Sequence, residues 1–77
     1  MKLDIVSRDP AAAPAALTAI RLLALLPERF TCHTEVATDR VRLRVETSES
    51  LQSVGEAVAE AVRDKALHGW RLAEVEL

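Results

Sequence analysis

The sequence predicts an α+β fold in which a four-stranded antiparallel sheet carries two helices on one face. Three observations lead to this expectation. Apolar and polar residues alternate in four short segments, apolar residues recur at helical spacing in two longer segments, and the six segments follow the order β-α-β-β-α-β. This order is typical of the ferredoxin-like split βαβ sandwich. With 77 residues and no linker or repeat, the chain is expected to form one domain over residues 1–77.

Alternation identifies the strands and the face that each residue occupies. In the first strand, Leu3 and Ile5 are expected to face the core. The residues expected on the open face of the sheet are mainly charged: Lys2, Asp4, His33, Glu35, Arg42, Arg44, Glu74 and Glu76. With the first and third strands at the centre of the sheet and the second at an edge, opposite charges alternate across this face, which suits a surface in contact with water.

The last strand does not alternate cleanly. Trp70 and Leu72 fall on the opposite register from the residues that follow, which are Ala73, Val75 and Leu77. One extra residue in a strand produces such a change, so we expect a β-bulge or a late strand start at this point.

The first helix is expected to begin after Asp9 or, one turn later, after Pro14, and to end before Pro27. Thr18 and Arg21 mark the side that we expect to face solvent. The apolar residues on the other side are expected to cover the sheet: Ala16, Ala19, Ile20, Leu23 and Leu26.

The second helix is expected to begin at Ser48, whose hydroxyl suits an N-cap, and to end before Gly69, a residue type common just beyond a helix C-terminus. Its opposite side is polar. The apolar stripe expected to face the sheet consists of Leu51, Val54, Val58, Ala61 and Val62.

Composition and motif content argue against several classes of function. The net charge is −2 and no aromatic residue lies at the centre of an inner strand, so nucleic-acid binding through the row Arg40, Arg42 and Arg44 is not expected. Cys32 and His33 are adjacent in a strand and therefore point to opposite faces of the sheet, so they cannot act together as nucleophile and base. The two histidines and the cysteine are also not expected to converge on one zinc ion. No catalytic residue, metal or cofactor is predicted. The single cysteine and the short apolar stretches predict a cytoplasmic protein without a membrane span.

Leu22 and Leu25 are apolar residues on the expected solvent side of the first helix. They come shortly before the second strand, an edge strand that we expect to include Phe30 and Cys32. An exposed apolar patch of this kind is typical of an association surface, and a small domain gains stability by pairing. We therefore expect these four residues to line the interface of a homodimer.

The run Pro14-Ala15-Ala16-Leu17, the aliphatic residues Ile20 and Leu23 at helical spacing, and the run Glu28-Arg29-Phe30 follow one another along the chain. In these residues, and in its element order and length, the chain resembles the ACT domain family. Within that family it is most similar to the small regulatory subunits of acetolactate synthase, which are also single domains of about this size.

The resemblance implies a non-catalytic regulatory domain that pairs side by side with a second copy. Such a domain binds an amino acid or similar small metabolite at the interface, or regulates a larger enzyme subunit. The implied ligand contacts lie in the loop before the first helix: Arg8, Asp9, Pro14 and Ala15. Ala15 stands where the family has a glycine, and its methyl group would hinder the approach of a ligand. The alternative is therefore a protein–protein assembly module of the same fold with no small-molecule ligand.

Overall fold

A computed structural model of the chain describes residues 1–76 and contains the six predicted elements. The strands and helices are β1 (Lys2–Ser7), α1 (Ala15–Leu25), β2 (Thr31–Val36), β3 (Arg40–Glu46), α2 (Leu51–Val62) and β4 (Trp70–Glu76), with a short 3₁₀ turn at Lys65–Leu67 before β4. Leu77, expected on the same side of the last strand as Val75, lies outside the described residues.

The four strands form one antiparallel sheet in the order β2-β3-β1-β4. β3 and β1 are central and β2 is an edge, as expected. α1 lies against β2 and β3, α2 lies against β4, and the two helices contact each other. Both helices pack on the same core, so the predicted α+β fold, a sheet with two helices on one face in ferredoxin-like order, is confirmed.

One cluster of buried residues joins the helices to the sheet. Leu3 and Leu43, which lie directly opposite each other on the two central strands, are both fully buried. The two aromatic residues of the chain, Phe30 and Trp70, also belong to this cluster. Burying one large apolar side chain contributes about 1.5–3 kcal/mol, so this mainly aliphatic core is the principal source of stability.

β4 contains the predicted β-bulge. Ile5 of β1 lies opposite Leu72, whereas the preceding residue Asp4 lies opposite Glu74, so Ala73 is the extra residue. Leu72 before the bulge and Val75 after it lie opposite the core residues Ile5 and Leu3, so both are on the helix-covered face of the sheet. This explains the change of register in the sequence.

α1 packs with a different face from the one predicted. Ala19 and Leu26 are buried as expected, but the other three predicted core residues are exposed: Ala16, Ile20 and Leu23. The residues of the helix that are buried are Ala15, Thr18, Ala19 and Leu22.

Two polar residues explain this difference. Thr18 is fully buried, and its hydroxyl donates a hydrogen bond to Ala13 O at 3.4 Å. The buried hydroxyl therefore has a hydrogen-bond partner in the loop just before α1. Arg21 donates to Ala66 O in the 3₁₀ turn at 3.2 Å, so this side of α1 faces protein. A helix that is apolar on nearly every side gives little periodic signal for its buried face. The two polar residues of α1 are the only sequence signal for its solvent side, and both form hydrogen bonds to backbone carbonyls of the protein instead.

α2 begins two residues later than predicted. Its N-cap is Ser50, whose hydroxyl accepts a hydrogen bond from Ser53 N at 3.1 Å, whereas Ser48 is exposed and lies before the helix. The apolar stripe is largely as predicted. Its fully or nearly fully buried members are Val54, Val58 and Ala61, and its half-buried members are Leu51 and Val62.

The C-terminus of α2 is also earlier than predicted. The helix ends at Val62 because Asp64 accepts a hydrogen bond from Ala66 N at 2.9 Å and starts the separate 3₁₀ turn. Gly69 follows this turn with a φ of 87°, a conformation that glycine adopts readily. A Cβ atom at this position would lie 2.8 Å from Ala12 Cβ, so glycine is also required by the close approach of the loop before α1.

Candidate functional site

A cleft of about 340 Å³ lies at the end of the sheet where β1 runs into the loop before α1. The loop forms one wall, and the turn between β2 and β3 and the first residue of β4 complete it. The lining residues are Ser7, Arg8, Asp9, Pro10, Ala12, Ala13, Pro14, Thr38, Asp39 and Trp70. The volume is at the lower end of the range for small-molecule sites.

Three of the four predicted ligand contacts, Arg8, Asp9 and Pro14, line this cleft. The fourth, Ala15, is buried in the core and does not line it. Its methyl group therefore packs inside the protein and leaves the cleft open, in contrast to the hindrance expected from the sequence.

Asp9 holds the loop in a turn instead of capping the helix. Its Oδ1 accepts a hydrogen bond from Ala11 N at 2.9 Å, and its own backbone N–H donates to Ser7 Oγ at 3.2 Å. α1 then begins at Ala15 with Pro14 in the N-cap position, so the later of the two predicted starts is correct.

Hydrogen bonds tie the other walls of the cleft to the first strand and its loop. Trp70 Nε1 donates to Ala13 O at 3.1 Å, which joins the start of β4 to the loop. Ser7 N donates to Asp39 O at 3.0 Å, which joins the turn between β2 and β3 to the end of β1. The walls are thus fixed relative to one another by the fold itself.

Trp70, Thr38 and Asp39 were not among the residues predicted for the site. The strand order could have indicated them. β3 and β4 both run antiparallel to β1 and pair with it, so both begin at the end of the sheet where β1 finishes. Any residue at the start of either strand therefore lies near the loop that follows β1.

Charged groups of both signs line the cleft. Arg8 contributes a guanidinium, and Asp9 and Asp39 contribute carboxylates. Neither Arg8 nor Asp39 forms an ion pair within residues 1–76. Together with the indole of Trp70, these groups form a lining that is suited to a small zwitterion.

The open face of the sheet holds a second cluster of charges, centred on Asp4. Its two carboxylate oxygens accept hydrogen bonds from Arg42 at 2.9 and 3.1 Å, and Arg40 lies 3.8 Å away. The hydrogen bonds from Arg42, with the attraction of both arginines, hold the pKa of Asp4 below its usual value against the opposing effect of burial. These two arginines therefore neutralise an acid of the same sheet, which favours a structural role for them.

Two of the four predicted interface residues are not on the surface. Leu22 is fully buried and Phe30 is 6 % exposed, since both belong to the core, so their predicted placement on the surface is wrong. Cys32 is half-buried, and burial raises the pKa of its thiol. Leu25 is exposed, as expected.

The exposed apolar surface of α1 lies elsewhere on the helix. We call it the outer face of α1, and it consists of Ala16, Leu17, Ile20, Leu23 and Ala24. Ile20, at its centre, is 67 % exposed. At ideal helical spacing these residues fall within about 120° of arc, so they form one continuous apolar stripe.

The two edges of the sheet differ in how well they are protected. Within residues 1–76, β2 pairs only with β3, and it contains no proline, lysine or bulge that would discourage pairing with another strand. β4, at the opposite edge, carries the bulge at Ala73 and the three charged residues Arg71, Glu74 and Glu76, whereas β2 carries the single carboxylate of Glu35. α1 is the helix nearer β2. The free edge of β2 and the helix that carries the outer face therefore belong to the same half of the molecule.

Two further features were sought in the part of the chain that the structure describes, a metal site and a membrane span. Within it, no group of three or more His, Cys, Asp or Glu side chains is placed to hold a metal ion. None of the helices in residues 1–76 has the length and apolar character needed to cross a bilayer.

Comparisons with known proteins give no relative for this chain. No protein-family model, curated protein or solved structure matches it. The resemblance to ACT domains therefore rests on short runs of residues and on the order of the elements, and what it implies about function remains a prediction.

Proposed function

We propose that the chain is a non-catalytic regulatory domain that forms a homodimer and binds an amino acid or similar small metabolite in the cleft beside α1. The observation that carries this proposal is the outer face of α1, which is apolar and exposed in the single chain. The cleft between residues 8–14 and Trp70 supports the ligand-binding part of the proposal.

The outer face of α1 is poorly suited to water. Ile20 is 67 % exposed, and Leu17 and Leu23, about one turn away on either side, are each 39 % exposed. Helices that are apolar on all sides are normally buried on all sides. Removing apolar surface from water contributes about 25 cal/mol per Å², so contact with another apolar surface is favourable here.

A second copy of the chain is the partner that this side of the molecule fits best. A two-fold axis beside α1 would bring two outer faces together and set the free edges of two β2 strands next to each other. Apolar packing between helices and backbone hydrogen bonds between strands would then form in one interface. A domain of 77 residues gains from such pairing because its own core is small.

The position of the cleft supports a regulatory role for the dimer. The loop that lines it leads directly into α1, and Ala13 O accepts hydrogen bonds from both Thr18 Oγ1 and Trp70 Nε1. A ligand that contacts this loop would act on the helix that forms the proposed interface, which couples binding to association. An amino acid is the ligand that the ACT resemblance implies, and a larger cytoplasmic enzyme subunit is the partner that such a domain would regulate.

The alternative is a protein–protein assembly module of the same fold with no small-molecule ligand. The outer face of α1 supports this alternative equally, because association does not require the cleft. Ala15 does not favour it, since the methyl group lies in the core. The two functions are distinguished by whether a small molecule binds.

The dimer is tested by Ile20→Asp, which places a charge at the centre of the outer face. In sedimentation velocity the parent protein should be a dimer and the variant a monomer, because a charge there would be buried without a partner. The matched control is Ser53→Asp, which adds the same charge to the exposed side of α2 and should leave the dimer intact. A monomeric parent, or a dimeric Ile20→Asp variant, would contradict the proposed interface.

The ligand is tested by thermal unfolding of the protein with each of the twenty amino acids. A ligand at about 100 times its Kd stabilises the native state by about 2.7 kcal/mol, which is a readily measured rise in Tm. A rise with one amino acid or a few supports the regulatory domain. A dimer whose Tm responds to none of them supports the assembly module.

A further inference from the structure

We infer that the cleft beside α1 takes a dibasic amino acid, a ligand with one carboxylate and two cationic groups. This inference rests on the proposed function for the existence of a small-molecule ligand, and it adds the charge class of that ligand. It is drawn from the charges that line the cleft, which are the guanidinium of Arg8 and the carboxylates of Asp9 and Asp39.

Arg8 is available to bind an anionic group. It is exposed and forms no ion pair within residues 1–76. Four other arginines pair with carboxylates of the protein: Arg29, Arg40, Arg42 and Arg63. A guanidinium can donate two parallel hydrogen bonds to one carboxylate. Arg8 therefore suits the α-carboxylate of an amino acid.

Asp9 and Asp39 give the cleft two negative groups. Asp9 uses Oδ1 to hold the turn through Ala11 N, and its Oδ2 is not used in that turn. Asp39 joins the fold through its backbone carbonyl, which accepts from Ser7 N, while its side chain is exposed and makes no ion pair in the part of the chain described. One positive and two negative groups leave the lining with a net charge of −1. A dibasic amino acid, with a net charge of +1, balances it.

Ligands of other charge classes satisfy this lining less well. An amino acid with a neutral side chain has one ammonium group for two carboxylates. An acidic amino acid would bring a second carboxylate close to Asp9 or Asp39, where like charges repel. A diamine without a carboxylate leaves Arg8 without a partner.

The uncharged part of the lining suits the aliphatic stem of such a ligand. Ala12, Pro14 and Trp70 present mainly carbon atoms to the cleft. A volume of about 340 Å³ fits a single small metabolite.

Trp70 is the only tryptophan of the chain and lies in the cleft, so its fluorescence reports binding directly. We would titrate the protein with lysine, norleucine, glutamate and 1,5-diaminopentane. Norleucine has the aliphatic stem of lysine without the second cation, and the diamine lacks the carboxylate. Lysine should bind at least about tenfold more tightly than norleucine and the diamine, the factor that one charge-assisted contact supplies, and glutamate should bind most weakly.

Two variants assign the contacts. Asp39→Asn keeps the size of the side chain and should remove most of the preference for lysine over norleucine without weakening norleucine. Arg8→Gln should weaken lysine and norleucine alike and should not weaken the diamine, because it removes a positive charge that repels the two ammonium groups. Glu56→Gln, on the exposed side of α2, is the control that should change none of the affinities. Thermal unfolding of each variant establishes that it is folded, and the ligand series on the parent protein tests the inference even where a variant is unstable.

The outcomes separate this inference from the proposed function. Tighter binding of norleucine or glutamate than of lysine would overturn the dibasic class and leave a metabolite-binding domain in place. An unchanged preference for lysine in folded Asp39→Asn would remove the carboxylate on which the argument depends. Binding of none of the amino acids by a dimeric protein would overturn both the inference and the ligand-binding part of the proposed function.

Discussion

α1 and α2 cover the same face of one sheet, yet they present opposite surfaces to solvent. α2 buries Val54 and Val58, and its outer side is polar, with hydrogen-bonded side-chain pairs such as Gln52–Glu56. α1 buries Leu22 in the same core, but its outer side is apolar as well. α2 therefore has the usual pattern of a surface helix, with one apolar buried side and one polar exposed side. α1 has a second apolar side that stays exposed to solvent in the single chain.

The two helices also begin differently. The hydroxyl of Ser50 caps α2, whereas Pro14, at the corresponding position of α1, provides no side-chain cap. A cap contributes about 1 kcal/mol to a helix. α1 therefore depends more on packing than on its own local interactions, and a second packed surface would add to its stability.

The largest expected effect tests whether the buried face of α1 is the one that the structure describes. Leu22→Ala should lower the free energy of unfolding by about 2–5 kcal/mol, because it leaves a cavity in the core. A domain of this length has a total stability on the order of 4–10 kcal/mol. Val58→Ala, the equivalent change in α2, should cost somewhat less because it removes a smaller group.

The control for this prediction is the next residue along the helix. Leu23→Ala removes the same atoms from the outer face and should cost less than about 1 kcal/mol when urea unfolding is measured at protein concentrations low enough for the monomer. If Leu23→Ala cost more than Leu22→Ala, α1 would be rotated towards the face that the sequence pattern indicates, and the contrast between the two helices would disappear.

The strands could be predicted from the sequence because each central strand has one face against the core and one in water. In β3, Leu43 alternates with Arg42 and Arg44 and the pattern leaves no ambiguity. α1 lacks this contrast, and its two polar residues misled because Thr18 and Arg21 find hydrogen-bond partners inside the protein. An apolar helix with two apolar faces can be oriented only by its tertiary contacts, which lie far away in the sequence.

The candidate site could be predicted in part for a similar reason. Arg8, Asp9 and Pro14 lie in one loop, so a local pattern and a family resemblance were sufficient to indicate them. Asp39 and Trp70 reach the same cleft from other parts of the chain, through the pairing of β3 and β4 with β1. Their role depends on sheet order, which is a property of the whole fold.

A medium-sized effect is expected at the start of α2, where the structure and the sequence pattern disagree. Ser50→Ala should lower the free energy of unfolding by about 1 kcal/mol, since it removes the hydroxyl that accepts from Ser53 N. Ser48→Ala should have almost no effect, because Ser48 is exposed and lies before the helix. Urea unfolding of the two variants decides between the caps. The opposite result would place the start of α2 at the residue indicated by the sequence pattern.

The smallest expected effect concerns the open face of the sheet, which resembles the outer side of α2 in being charged and in contact with water. Arg42 holds the pKa of Asp4 below its usual value of 3.8. The unfolded chain therefore takes up a proton at Asp4 more readily than the native state does. The pair stabilises the fold at pH values above 3.8, and this stability is lost as the pH falls through the lower native pKa.

Asp4→Asn removes this titration, so below about pH 4 its free energy of unfolding should fall less steeply with pH than that of the parent. The difference should be small, because the side chain of Arg42 is partly exposed and water screens its attraction for Asp4. Identical pH curves for Asp4→Asn and the parent would mean that the pair adds no stability. Charge on the open face, as on α2, would then serve only to keep that surface hydrated.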